Sequence, residues 1–141
     1  MPAGKARKRT VLVVDDEPHD RSFMRRTLEE QGCTVLEAPD YWEALQIHQK
    51  EGPEIQLLLT AIALPGLNGY ELANTLTRIS PGLKVLFVSG PTGAEVSRFY
   101  SMPVTGPHLV PKPIQAADLI DRVMKRLRSR PPRTDSKTVG A

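Results

Sequence analysis

Cysteine is almost absent from this 141-residue chain: Cys33 stands alone, so no disulfide forms within it and a reducing compartment suits it. No apolar run approaches the ~20 residues of a membrane span. The basic start, Lys5 to Arg9, lacks the apolar stretch that follows in a signal peptide. A soluble, cytoplasmic protein with no membrane partner is expected. Aromatic residues make up only 5% and Trp42 is the one tryptophan, so Tyr41 and Trp42 read as partial cover at a helix start rather than a base-stacking platform. Strong net charge is missing as well, at +3 overall, and it is unevenly placed. Residues 1–9 carry four bases and no acid, and residues 125–141 carry six bases against Asp135. The span between them holds nine bases against fifteen acids. An acidic body with basic ends does not present one basic folded face, so nucleic acid is not an expected partner. His19, His48 and His108 lack metal-ligand spacing and read as surface or edge residues. No G-x-S-x-G elbow surrounds Ser89, and Gly90 to Gly93 has no Lys-Ser/Thr to make a P-loop.

What is present organises around Ile55 to Leu72, IQLLLTAIALPGLNGYEL. The apolar run Ile55 to Leu59, broken only by Gln56, is long enough for one strand covered on both faces and too short for an ordinary helix. Pro65-Gly66 and Asn68-Gly69 then turn the chain out of the sheet. From Gly69 the apolar spacing becomes helical through Leu72, Ala73, Leu76 and Ile79.

The rest of the chain repeats the alternation. Val11 to Val14 is a buried strand that ends in Asp15-Asp16-Glu17-Pro18, and a helix follows from about Asp20 with Phe23, Met24 and Leu28 inward. Gly32 lies just past its end. Thr34 to Ala38 is a short strand, and Asp40 opens a helix with Glu43 three residues on, the spacing of a reciprocal cap. Ala44, Leu45 and His48 continue that helix. Gly52-Pro53 breaks to the central strand. Lys84 to Val88 is a fourth strand ending at Ser89-Gly90, a weaker helix spans Ala94 to Met102, and Pro103 to Pro107 is loop. Leu109-Val110 is the last strand, before Lys112-Pro113. Ala116, Leu119, Ile120, Val123, Met124 and Leu127 form one stripe of a final helix. Five strand–helix pairs with right-handed crossovers imply a three-layer α/β/α domain on a five-stranded parallel sheet. Residues 1–9 read as a disordered basic arm, 10–128 as the domain and 129–141 as a flexible tail.

Chemistry in an open α/β sheet is expected at the carboxyl ends of its strands. There the sequence places Asp15 and Asp16, then Ala61, then Ser89, then Lys112. Paired carboxylates at a strand end either cap the next helix or begin a magnesium site, since Mg2+ needs only one or two carboxylates beside its waters. A buried Lys112 needs an anionic partner, and is expected to turn to Asp15 or Asp16 or to reach water.

The segments VLVVDDEP, LLLTAIALPGLNG, KVLFVSG and LVPKP, in that order and spacing from Thr10 to Leu127, resemble the receiver domain of two-component response regulators, the CheY-like family. The resemblance implies a flavodoxin-like strand order, 2-1-3-4-5. It also implies a magnesium site at Asp15, Asp16 and the carbonyl of Ala63, a phosphoryl-sensing hydroxyl at Ser89 and a phosphoryl-contacting lysine at Lys112. Two departures stand out. The family's phosphoacceptor aspartate falls on Ala61, and a methyl group cannot attack a phosphoryl donor. The switch aromatic, three residues before the lysine, falls on Leu109. A non-enzymatic signalling module is therefore expected, with weak Mg2+ binding, that works by recognising proteins: a histidine kinase, a phosphotransfer protein or a regulated target. Its recognition surface is expected on the last two helices and the strand between them. The alternatives are phosphate uptake on another residue such as Asp16, and the receiver fragment of a hybrid histidine kinase.

Overall fold

The computed structural model describes residues 9–90 and 108–129. The helix expected over Ala94 to Met102, the loop Pro103 to Pro107, residues 1–8 of the arm and 130–141 of the tail lie outside the described residues.

Five parallel strands form one sheet: β1 (Thr10–Val14), β2 (Thr34–Ala38), β3 (Ile55–Ala61), β4 (Lys84–Ser89) and β5 (Leu109–Pro111), in spatial order β2-β1-β3-β4-β5. The direction of building reverses between β1 and β3, which places a crevice at their carboxyl ends. Every residue of β1 is buried, as strands covered on both faces require. Pleat alternation divides these side chains between two cores. Val11, Val13, Leu57, Leu59, Leu86 and Val88 pack on one side, against Met24, Leu28, Leu119 and Val123. Leu12, Val14 and Leu58 pack on the other, against Tyr41, Ala44, Leu72 and Leu76. A register shift between Thr10 and Val11 pairs them with Ile55 and Leu57, skipping Gln56. That bulge is why Ile55 joins the same core as Leu58 despite its odd spacing. Each fully enclosed leucine contributes about 2 kcal/mol of transfer free energy.

Among the described residues the helices are α1 (Pro18–Glu29), α2 (Tyr41–Glu51), α3 (Gly69–Ile79) and α4 (Ala116–Arg128). α1 begins at Pro18, two positions earlier than the apolar spacing suggests. Proline suits the first helical position because its missing N–H would have no partner there. The Glu17 carboxylate accepts from His19 N at 3.0 Å and completes the cap. At α2 only half of the expected reciprocal cap forms: Asp40 Oδ1 accepts from Glu43 N at 2.9 Å. The full capping box stands at α3, between Asn68 and Glu71. Phe23 is half-buried rather than a core residue.

His48 is not the surface residue its spacing to other histidines suggested. It lies one turn after Ala44 on the buried stripe of α2 and is 3% exposed. Its Nε2 lies 3.0 Å from Ser80 Oγ, beyond α3, so the buried ring keeps a hydrogen bond. Tyr41 and Trp42 also part company. Tyr41 is buried with its hydroxyl 3.0 Å from Thr75 Oγ1, while Trp42 is exposed with its ring edge-on to Tyr41.

Candidate functional site at the carboxyl edge of the sheet

β1 delivers Asp15 to the crevice. Its N–H donates to Ala38 O at 3.2 Å, extending the ladder to β2 by one residue, and its side chain is fully enclosed. Asp15 Oδ1 accepts from Glu17 N at 2.9 Å. The ammonium of Lys112 lies 3.1 Å from Oδ2 and also donates to Oδ1 at 3.5 Å. The Asp15 carbonyl accepts from Arg21 Nη1 at 2.8 Å, and Arg21 is held in turn by Glu37, Nε to Oε1 at 3.1 Å.

Lys112 follows β5, at the far side of β3 and β4 from Asp15. Its N–H donates to Ser89 O at 3.0 Å, which ties the chain leaving β5 to the end of β4, and the Lys112–Pro113 peptide is cis. From that anchor the side chain reaches β1, where Nζ meets a second carboxylate, Asp20 Oδ2, at 2.9 Å. One ammonium thus bridges the end of β1 and the first turn of α1.

The two members of the buried pair respond differently to enclosure. Burial pushes the Asp15 carboxyl up, and the Glu17 N–H and Lys112 pull it down less. Burial also opposes the charge on Lys112, but the hydrogen bond to Asp20 and the field of Asp15 outweigh it and hold the ammonium up. The Lys112 direction is the firmer of the two, because two carboxylates serve one ammonium while Asp15 shares its cation.

The end of β3 is different in kind. Ala61 is buried and pairs with Val88 across β4, and Ile62 N donates to Val88 O at 3.1 Å. Thr60, fully buried, turns its hydroxyl onto Ala61 O at 2.9 Å. Gly69, at the start of α3, approaches so closely that a Cβ there would overlap the Ala61 carbonyl oxygen. Ser89 is buried at the end of β4, its hydroxyl donating to Gly90 O at 3.2 Å. Val14 pairs with Thr60, so Asp15 and Ala61 come next on adjacent strands. The edge therefore brings Asp15 and Lys112 into contact and lines up Ala61 and Ser89 beside them. Asp16 and Ala63 are exposed.

A parallel five-stranded sheet of this order, with acids after the first strand and a lysine after the fifth, is the receiver-type arrangement that the sequence resemblance implies. The chain belongs to the response regulator receiver domain family, whose model matches residues 11–124. It is 33% identical over 119 residues to the sensor kinase CckA of Brucella abortus, an alignment covering 84% of this chain and 12% of that one. It is 30% identical over 117 residues to the response regulator receiver protein CpdR of the same organism, covering 83% of this chain and 95% of that one. The crystal structure of the receiver domain from the hybrid histidine kinase CckA superposes with a TM-score of 0.70 at 33% identity, covering 84% of this chain and 99% of that chain. The chain thus spans a small part of the first relative and nearly all of the second.

Receiver domains of this family generally bind Mg2+. The donors here do not fit that ion as they stand. Position 61 contributes a methyl group, Asp16 is exposed, and the one enclosed carboxylate already faces an ammonium.

Asp20 is the site residue that sequence reasoning missed. The helix expected from about Asp20 already put this carboxylate in the first turn beside the strand end, and Pro18 at the first helical position fixes it there.

Proposed function

We propose that this receiver domain serves a two-component system through recognition by protein partners and takes no phosphoryl group at position 61. The observation that carries the reading is Ala61, buried at the carboxyl end of β3 where the family resemblance puts the acceptor aspartate. An alanine methyl has no lone pair with which to attack phosphorus. Lys112, without a carboxylate on β3, is engaged by Asp15 and Asp20 instead. The Ser89 hydroxyl is satisfied by its neighbour's carbonyl, and Leu109 occupies the switch-aromatic position. No step of this function uses a metal ion.

The partners we propose are a histidine kinase, a phosphotransfer protein or a regulated target in the cytoplasm. The recognition surface includes β5 and α4. A groove of ≈ 490 Å3 there is lined by His108, Asp118, Asp121, Arg122, Lys125 and Arg126, a mixed-charge surface suited to a polar protein partner. Among the described residues no helix is long and apolar enough to cross a membrane. A second reading rests on Asp16, which is exposed at the same strand end and free of Lys112's ion pairs: it is the residue through which phosphate would enter if any does. A third rests on the CckA likeness, in which the chain works as the receiver of a hybrid kinase. Labelled acyl phosphate followed by mass mapping separates the first two. The proposal expects no labelled peptide, and label on the Asp16 peptide would replace it with the second reading.

A further inference from the structure

The Lys112–Asp20 pair at the carboxyl edge of the sheet has a consequence for cations that goes beyond the recognition reading. We propose that Lys112 is the resident cation of this edge, standing in for a divalent ion, with Asp20 as the second carboxylate that keeps it there. Three observations carry this. The ammonium lies 3.1 Å from Asp15 Oδ2 and 2.9 Å from Asp20 Oδ2, so one positive charge is shared by two acids from different elements. The Lys112 backbone is fixed by its N–H bond to Ser89 O, so the ammonium is delivered by a short tether rather than from solution. Asp15 is fully enclosed and the ammonium faces both of its oxygens, 3.1 Å from Oδ2 and 3.5 Å from Oδ1.

The competition then favours the lysine. A tethered cation acts at a high effective concentration, whereas a free ion must displace it from outside. Magnesium would also have to build near-octahedral oxygen coordination on an Asp15 carboxylate already paired with the ammonium, with no carboxylate on β3. Displacing the ammonium would leave it half-buried beside a divalent charge, which opposes entry further. The edge is accordingly neutralised from within, and the fold is indifferent to magnesium. This inference concerns cations and does not depend on whether the chain ever receives phosphate.

The test is metal binding by the native chain, Lys112→Met, Lys112→Gln and Asp20→Asn. Its readouts are Mn2+ broadening of the Asp15 amide signal and melting temperature in Mg2+ against chelator. The native chain is expected to show no melting shift at millimolar Mg2+. Either folded Lys112 variant is expected to bind at least about tenfold more tightly and to melt higher with metal. Asp20→Asn, which loosens one of the two holds, should fall between. Equal metal affinity in the native chain and a folded Lys112 variant overturns the proposal. So does micromolar Mn2+ binding by the native chain alone, a result that stands even if both Lys112 variants fail to fold. Affinity unchanged in Asp20→Asn removes Asp20 from the device.

Discussion

The ends of β1 and β3 lie side by side, yet one is crowded with charge and the other has none. At β1, Asp15 is enclosed, Lys112 and Arg21 converge on it, and Asp20 and Glu37 complete the set. At β3, the Thr60 hydroxyl donates to the Ala61 carbonyl, and α3 begins with a glycine pressed onto that same oxygen. Apart from Gln56, both strands are buried up to the residue where they stop. The difference therefore arises from two side chains, an aspartate on one strand and an alanine on its neighbour. A carboxylate at the end of β3 would compete for Lys112. With a methyl there, the ammonium settles on the β1 side, and the two ends become a charged half and an inert half of one edge.

Four experiments disturb that contrast, in decreasing order of expected effect. Gly69→Ala attacks the inert half. The added Cβ meets backbone rather than a movable side chain, so a loss of about 3 kcal/mol or more is expected in chemical denaturation. A loss within experimental error would mean that the close approach to Ala61 is not maintained in solution. Lys112→Ala attacks the charged half by leaving enclosed Asp15 without its cation. Breaking a fully buried pair is costly, but Lys112 is 20% exposed and Asp15 can take up a proton. A loss of about 2 kcal/mol at neutral pH is expected, shrinking in acid. Ala61→Asp brings charge to the inert half. In chelator three acids then surround one ammonium, and the variant should be about 1 kcal/mol less stable than the native chain. A higher melting point for the variant would contradict that repulsion.

The smallest effect distinguishes the edge from the opposite side of the sheet by pH. His48 is held below its ordinary value by burial, so the unfolded chain takes up a proton that the folded chain refuses. Its contribution is therefore complete above the unfolded value near 6.5 and is lost as pH falls below it. Lys112 is held above its ordinary value, so its contribution is complete below 10.5 and is lost as pH rises through its folded value. Melts across pH should show a smaller acid limb in His48→Gln, with His108 supplying the remainder, and should lose the alkaline limb in Lys112→Met. An acid limb unchanged in His48→Gln would assign it elsewhere.

The sheet was legible because its strands are written as short apolar runs bounded by Gly, Pro and acids. The family likeness supplied the strand order, and the structure agrees with it. That Lys112 requires an acid was also legible, since an ammonium cannot be enclosed alone. Asp20 escaped notice because only the strand-end acids Asp15 and Asp16 were weighed as partners for Lys112, although a helix from about Asp20 already set that carboxylate beside them. Asn68 was read with Gly69 as a turn pair. Glu71 three residues later was the clue to a capping box, and the turn and the cap share the same residue types. His48 illustrates the converse: the helix period already set it beside Ala44 and Leu45, and histidine spacing was the weaker signal. The pressure of Gly69 on Ala61 has no sequence signature, since it depends on where α3 lands on β3.

The central claim is that this edge is a receiver site missing one carboxylate. Its most direct measurement is the intact mass of Ala61→Asp and of the native chain after incubation with a small acyl-phosphate donor and Mg2+. With Asp at position 61 the ammonium has a carboxylate on β3 to turn to. The variant should gain the mass of one phosphoryl group, and Lys112→Ala in that background should lose the response, while the native chain gains nothing. A folded Ala61→Asp protein that takes up no phosphate, or a native chain that does, would contradict the account.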